Sequence, residues 1–261
     1  MNQTQTEVSK GMDFEGFKKP LGGWADKFRP IIEGDGMLSI YSKLRGDVDK
    51  GYKVVPLVED VYRAFRTCDP SNVKVIFYLQ DPYPRLYKGG IPQACGIAMD
   101  CRNSPDKKLQ PSLELWYDAI DRHLAHKMLP KCERSPNLDY LHEQGVMLLN
   151  TDLTCRVPKT GSHAGWWEPF QEYFLKEVMY SFTGIIYVLC GNESQSMDKF
   201  INPLGNYIFK LEHPMAAGHR GDDLWRDQGI FKKINEILLG NNNQQILWNK
   251  ADWDFYKEPP F

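Results

Sequence analysis

Three side chains with useful chemistry each stand where an apolar run stops. Asp81 follows "VKVIFYL" (73 to 79) and Gln80, Asn150 closes "GVMLLN" (145 to 150), and His213 closes "NYIFKLEH" (206 to 213). Asp81 precedes Pro82, which biases it towards extended backbone, and Pro82 and Pro84 fix their own φ on either side of Tyr83. So stiff a loop holds a carboxylate and a ring in set directions, the preorganisation that acid–base or electrostatic catalysis requires. The plainer reading of Asp81 is a D-P turn, and taken alone it would prevail. Asn150 offers a donor and an acceptor together, the complement of an imide edge. A strand-end Asn bonded to nearby backbone is an equally good local reading. His213, followed by Pro214, is able to donate to a carbonyl oxygen that gains charge as a bond breaks. A lone histidine is more commonly structural.

These groups need elements that bring them together. Four short apolar runs, 73 to 79, 145 to 150, 184 to 190 and 206 to 213, read as strands buried on both faces. Helix-period stretches accompany them at 55 to 68, 112 to 128, 169 to 182 and 230 to 239. The alternation predicts a three-layer α/β/α domain around a central four-stranded, mainly parallel sheet. Ligands of such sheets bind beyond the carboxyl ends of the strands, so an acid, an amide and an imidazole are expected to converge on one pocket.

The chain has 261 residues, 42% hydrophobic and 25% charged, enough for a large core, with one domain the expected count. Residues 1 to 20 read as a loosely held tail, 21 to 240 as the catalytic domain, and 241 to 261 as an aromatic extension that docks on the body or on a partner. A net charge of −2 excludes a grossly basic chain, so contact with nucleic acid needs a local basic patch. Six dispersed cysteines without a C-x-x-C pair indicate reduced thiols in an intracellular protein, and no segment suggests secretion or a membrane span. His123 and His126 share a helix face, yet no cysteine or carboxylate cluster accompanies them. They read as solvated surface rather than metal ligands.

The blocks "EDVYRAFRTCDPSNVKVIFYLQDPYP", "QACGI", "QPSLELWYDAI", "GVMLLNTDLTCR", "GSHAGWWEPF", "LCGNES" and "LEHPMAAGHR" resemble, in order and spacing, those of family 1 uracil-DNA glycosylases. The resemblance spans about Trp24 to Leu239. It implies hydrolysis of the N-glycosidic bond of a flipped-out deoxyuridine, in single- or double-stranded DNA, without metal or organic cofactor. On that resemblance Asp81 positions water and stabilises the cationic sugar, and His213 donates to O2 of the departing uracil. Asn150 reads the uracil edge, Tyr83 excludes a C5 methyl, and the Gln80 backbone lines the pocket. Small-residue loops with Ser112, Ser162, His163, Ser194, His219 and Arg220 are expected to grip DNA through close backbone approach, with Arg156 and Lys159 adding to a basic surface; for Lys159 plain solvated surface is the stronger reading. A monomer is expected, with a protein inhibitor or a replication protein as further partner.

The chain also leaves the family pattern. Pro84 replaces the usual His after D-P-Y, as in the poxvirus branch, and Met99 stands where cellular enzymes stack an aromatic ring on uracil. "HPMAAG" replaces the block that carries a phosphate-binding serine and a leucine wedge. The wedge position falls near Ala217, and its task passes to His219, Arg220, Leu224 or Trp225. These loops suggest a divergent viral or phage member. They also motivate two alternatives, a DNA-binding replication scaffold and a glycosylase for another modified pyrimidine; Tyr83 argues against the latter.

Overall fold

The computed structural model describes residues 15–124, 132–225 and 228–258. Helices α1 (Glu15–Leu21), α2 (Ala25–Ile32) and α3 (Asp35–Asp49) precede a two-residue strand β1 (Val54–Val55) and helix α4 (Arg63–Thr67). Strand β2 (Val75–Leu79) leads to α5 (Pro111–Leu124), then α6 (Asp139–Glu143), β3 (Val146–Asn150), β4 (Cys155–Arg156) and α7 (Glu168–Tyr173). After α7 come β5 (Ile186–Cys190), α8 (Asn192–Gln195), β6 (Tyr207–Leu211), α9 (Pro214–Arg220), α10 (Ile230–Gly240) and α11 (Lys250–Lys257).

The central sheet has strand order β3-β2-β5-β6, and every pairing in it is parallel. The expected three-layer architecture is the observed one. Side chains alternate across a strand, so neighbours in β2 serve opposite layers. The Phe77 ring packs 4.7 Å from Trp116 of α5 and 6.4 Å from Phe231 of α10. The Tyr78 hydroxyl instead donates to Gln171 of α7 at 3.0 Å. On that second face Phe28 of α2 stacks on Phe170 at 4.7 Å, with Phe65 of α4 edge-on to both. Because β2 and β3 run side by side with Leu79 opposite Asn150, Asp81 and Asn150 emerge at the same end of the sheet.

Several expectations are corrected. β6 is an edge strand with a partly exposed face, not one buried on both sides. The helix expected over 55 to 68 splits into a single 3₁₀ turn at Val58–Asp60 and α4, because Pro56 favours extended backbone at Val55, which pairs with Cys155 instead. The helix expected over 169 to 182 passes from α7 into a π turn at Phe174–Val178. The tail read to residue 20 shortens: Phe17 and Leu21 of α1 are buried in the core, Phe17 edge-on to Tyr41 and Tyr62. Residues 1–14 lie outside the described residues.

The extension read from 241 likewise belongs to the body. Ile246 and Trp248 are buried, Gln144 bonds both the N–H and the carbonyl of Leu247, and Tyr140 donates to the Trp248 carbonyl at 2.8 Å. Among the described residues no helix is long and apolar enough to cross a membrane, and all six cysteines are buried free thiols.

Candidate active site

Beyond the carboxyl ends of β2 and β3 lies a cleft of about 350 Å³. Gln80, Asp81, Tyr83, Met99, Ser112, Asn150, His213 and His219 line it, joined by Thr160 and Met215, which sequence reasoning had not placed there. The acid, the amide and the imidazole therefore meet, as the strand ends implied. Ser162, His163, Ser194 and Arg220 lie outside its wall.

The main-chain N–H of Gly161 donates to Asp81 Oδ2 at 2.6 Å, which fixes the carboxylate's direction. Burial pushes the Asp81 carboxyl above its usual range; the Gly161 bond opposes this and the charge of Glu193 adds to it. Beside it Asp152, whose own N–H donates to the Gln80 carbonyl at 3.1 Å, is pushed up to about 7. Burial is the main cause, resisted by the N–H groups of Trp167 and Gly165 and reinforced by Asp81 and Glu193. Sequence reasoning missed Asp152, although "NTDL" places it two residues beyond Asn150.

His213 is the N-cap of α9, with Pro214 at the first helical position, and its Nδ1 accepts the Met215 N–H at 3.2 Å. An accepting Nδ1 leaves the ring proton on Nε2, and burial holds the imidazole below its usual pKa. The site thus has a neutral N–H donor. Gly191 is required beside it: at φ 90° its hypothetical Cβ would come within 2.9 Å of the His213 Cβ. Asn150 is buried at the end of β3, with its carbonyl held by Gln171 Nε2 at 3.0 Å.

The Tyr83 hydroxyl shares a 2.6 Å hydrogen bond with Ser112 Oγ and donates to the Met99 carbonyl at 3.3 Å. Burial raises the phenol well above its ordinary pKa, so it remains a neutral ring. Met99 is buried in the wall with φ 63°, a left-handed conformation unusual for this residue type.

The expected DNA-gripping side chains divide. Ser112 is buried and committed to Tyr83, and Ser194 is buried with its hydroxyl donating to the Cys190 carbonyl at 3.1 Å. His163 is buried between Thr154 Oγ1 at 2.8 Å and Asp47 Oδ2 at 3.0 Å. The side chains of these three are committed to internal partners, because a buried polar side chain must satisfy its hydrogen bonds within the protein. Ser162 Oγ accepts the Arg156 N–H at 2.7 Å. Arg220 is exposed but paired at 2.6 Å with both Glu212 and Asp222, which hold its guanidinium above the ordinary pKa. Arg156 pairs with buried Asp47, whose carboxyl it holds below the usual range.

Of the residues considered for the wedge, Ala217, Leu224 and Trp225 are buried, while His219 is exposed at the cleft rim. The expectation for Leu224 and Trp225 is therefore withdrawn. His123 is not on a solvated face either: its Nε2 lies 3.0 Å from the Trp225 carbonyl and its ring packs 5.6 Å from Phe231. His126 lies outside the described residues. Among the described residues no group of three or more His, Cys, Asp or Glu is placed to hold a metal.

A three-layer α/β/α sheet with a carboxylate, an amide and an imidazole gathered at one end defines an α/β protein whose strand-end cleft is equipped for acid–base or electrostatic catalysis. Curated relatives make the assignment specific. The chain is 31% identical over 234 residues to the uracil-DNA glycosylase of Pseudomonas aeruginosa (strain UCBPP-PA14), covering 88% of this chain and 94% of that protein. It is 34% identical over 229 residues to that of Salmonella arizonae, covering 86% and 93%. The chain belongs to the uracil-DNA glycosylase family. No protein-family model matches it. Among solved structures, mimivirus uracil-DNA glycosylase shares the fold with a TM-score of 0.76 at 21% identity, covering 91% of this chain and 93% of that one.

Proposed function

We propose that the protein hydrolyses the N-glycosidic bond of deoxyuridine in DNA, releasing uracil and leaving an abasic site. The observation that carries this reading is the convergence of Asp81, Tyr83, Asn150 and His213 in one cleft. Asn150 pairs with the imide edge of the extruded base, and the held Tyr83 ring rejects a C5 methyl. As the C1′–N1 bond breaks, its electron pair passes to the uracil ring, and the Nε2–H of His213 donates to the O2 that gains charge. Asp81 offsets the positive sugar and orients a water whose oxygen bonds to C1′ as one of its protons passes to the Asp81 carboxylate, which leaves the abasic sugar with its C1′ hydroxyl and uracil as the anion. Met99 covers the base face, and His219 fills the gap left in the stack.

The substrate reading includes single- and double-stranded DNA and a monomeric, intracellular protein. A variant of the mimivirus enzyme has been solved in complex with UGI, and we extend sensitivity to such a protein inhibitor to this chain. Support for a viral or phage origin comes from the loops: Pro84 after D-P-Y, and Met215 and Ala217 in the His213 block. The domain comprises 15–258, since both flanks contribute to the core. A second role as a replication partner is favoured by Phe255 and Tyr256, exposed by 62% and 55% on α11.

The test is release of free uracil from a uracil-containing oligonucleotide, read by alkaline cleavage of the abasic product. An inactive wild-type chain, or full activity in Asp81→Asn combined with His213→Ala, would overturn the assigned chemistry.

A further inference from the structure

We infer that an aromatic and basic strip beside the cleft is a stacking platform for unpaired bases of a single DNA strand. The inference rests on the DNA reading of the cleft but concerns a surface that the reaction does not use. The pairing of β1 with β4 sets Val54 opposite Arg156, the Val157 N–H donates to the Lys53 carbonyl at 2.9 Å, and the Lys159 N–H donates to the Arg156 carbonyl at 2.8 Å. Lys53 is therefore a main-chain neighbour of the turn that joins Arg156 to Lys159, although the two segments are far apart in sequence.

Flat groups layer on Arg156 of that turn. The Arg156 guanidinium lies 4.5 Å from the centre of the Tyr52 ring and 5.7 Å from that of Trp166. Trp166 in turn stacks on His163 at 4.2 Å with 4° between the ring planes. His163 and Arg156 are both held from behind by buried Asp47. The stack is thus pinned at its base and open at its end, where Tyr52 is 47% exposed. Rings held in place lose little freedom when a base stacks on them, and every base has a face to offer, so such platforms bind strands without reading sequence.

Charge and position select the occupant. Lys50, Lys53 and Lys159 are exposed and form no ion pair with any described residue, and neighbouring Asp49 is occupied by Arg45. The patch is therefore cationic in a chain whose net charge is −2. It is also continuous with the cleft: Thr160, next to Lys159, lines the cleft wall, and Gly161 bonds Asp81. A strand leaving the cleft past Thr160 passes Lys159, and the same turn carries Arg156, which packs on the Tyr52 ring. Duplex DNA keeps its bases stacked inside and offers that ring nothing but backbone.

Binding of the full chain to fluorescein-labelled, uracil-free oligothymidylate, measured by anisotropy, tests the platform. Tyr52→Ala should weaken single-strand binding about tenfold and Tyr52→Trp should preserve it. Tyr180→Ala, at a ring exposed by 63% to which no binding role is assigned, should behave as wild type, and Lys53→Gln with Lys159→Gln should flatten the salt dependence. Wild-type affinity in Tyr52→Ala, an equal loss on duplex of the same length, or no binding by the wild-type chain would each overturn the inference. Because the probe carries no uracil, the result is independent of glycosylase activity. A protein that binds the probe but leaves uracil in DNA loses the proposed reaction and keeps the platform.

Discussion

Gly161 and Asp81, eighty residues apart, are joined by a 2.6 Å hydrogen bond from main-chain N–H to carboxylate. The bond aims Asp81, while burial and Glu193 raise its pKa. Asp81→Asn should cost about 10²–10⁴ in kcat, the span for a catalytic proton-transfer or electrostatic group. In the proposed reaction Asp81 works as the carboxylate, so activity should fall as pH drops through the raised pKa. Glu193→Gln removes a like charge and should move that acid limb to lower pH in single-turnover uracil release.

His213 presents its Nε2–H because its Nδ1 is occupied by the Met215 N–H. Imidazole ¹⁵N shifts should show the neutral Nε2–H tautomer through the neutral pH range, since burial depresses the pKa. His213→Ala should lose about 10²–10⁴ in kcat. A ring that titrated above its ordinary value would contradict the assignment.

The Ser112 bond to Tyr83 predicts a loss of selectivity more than of rate. Ser112→Ala leaves the phenol with the longer 3.3 Å bond to the Met99 carbonyl. One hydrogen bond of about 0.5–1.5 kcal/mol corresponds to a few-fold change in the ratio of kcat/KM for uracil over 5-methyl or 5-halo pyrimidines. Parallel assays of these substrates measure the ratio.

Asp152 makes stability depend on pH. Its carboxyl titrates at about 7 in the folded chain against 3.8 as the ordinary value, so the folded state holds the proton more tightly. Stability from this group is present below about 4 and is lost as pH rises through about 7. Asp152→Asn should therefore gain on the wild type with rising pH. A difference in Tm of at least about 2–4 °C between pH 4 and pH 8 is the expected scale, read by thermal melts.

Trp248 is 1% exposed and packs 4.8 Å from Phe231 and 6.3 Å from Phe77. Trp248→Ala should cost about 3–5 kcal/mol in urea unfolding, the scale for emptying a large core site. An extension lying loosely on the surface would lose far less.

β2, β3 and β5 were legible because fully buried parallel strands are continuous apolar runs, and the ends of β2 and β3 located Asp81 and Asn150; His213 was found at the end of β6, whose run reads apolar although one face is partly exposed. Side-chain commitments were not legible, because they depend on distant partners. Nothing near His163 announces Asp47, 116 residues away, and nothing near Ser112 announces Tyr83. Short polar side chains in small-residue loops look alike whether they face DNA or their own core. Trp248 read as tail because the groups that bury it, Tyr140 and Phe231, belong to other elements. Asp152 was overlooked because "NTD" reads as a polar turn after the strand, although its burial beside Asp81 sets it apart.

The cleft lies beyond the carboxyl ends of β2 and β3, whereas the groove lined by Trp253 and Tyr256 of α11 also includes Lys74 and Gln144, which precede those strands. The two grooves open at opposite ends of the sheet, so a protein docked at the α11 end would leave the cleft unobstructed.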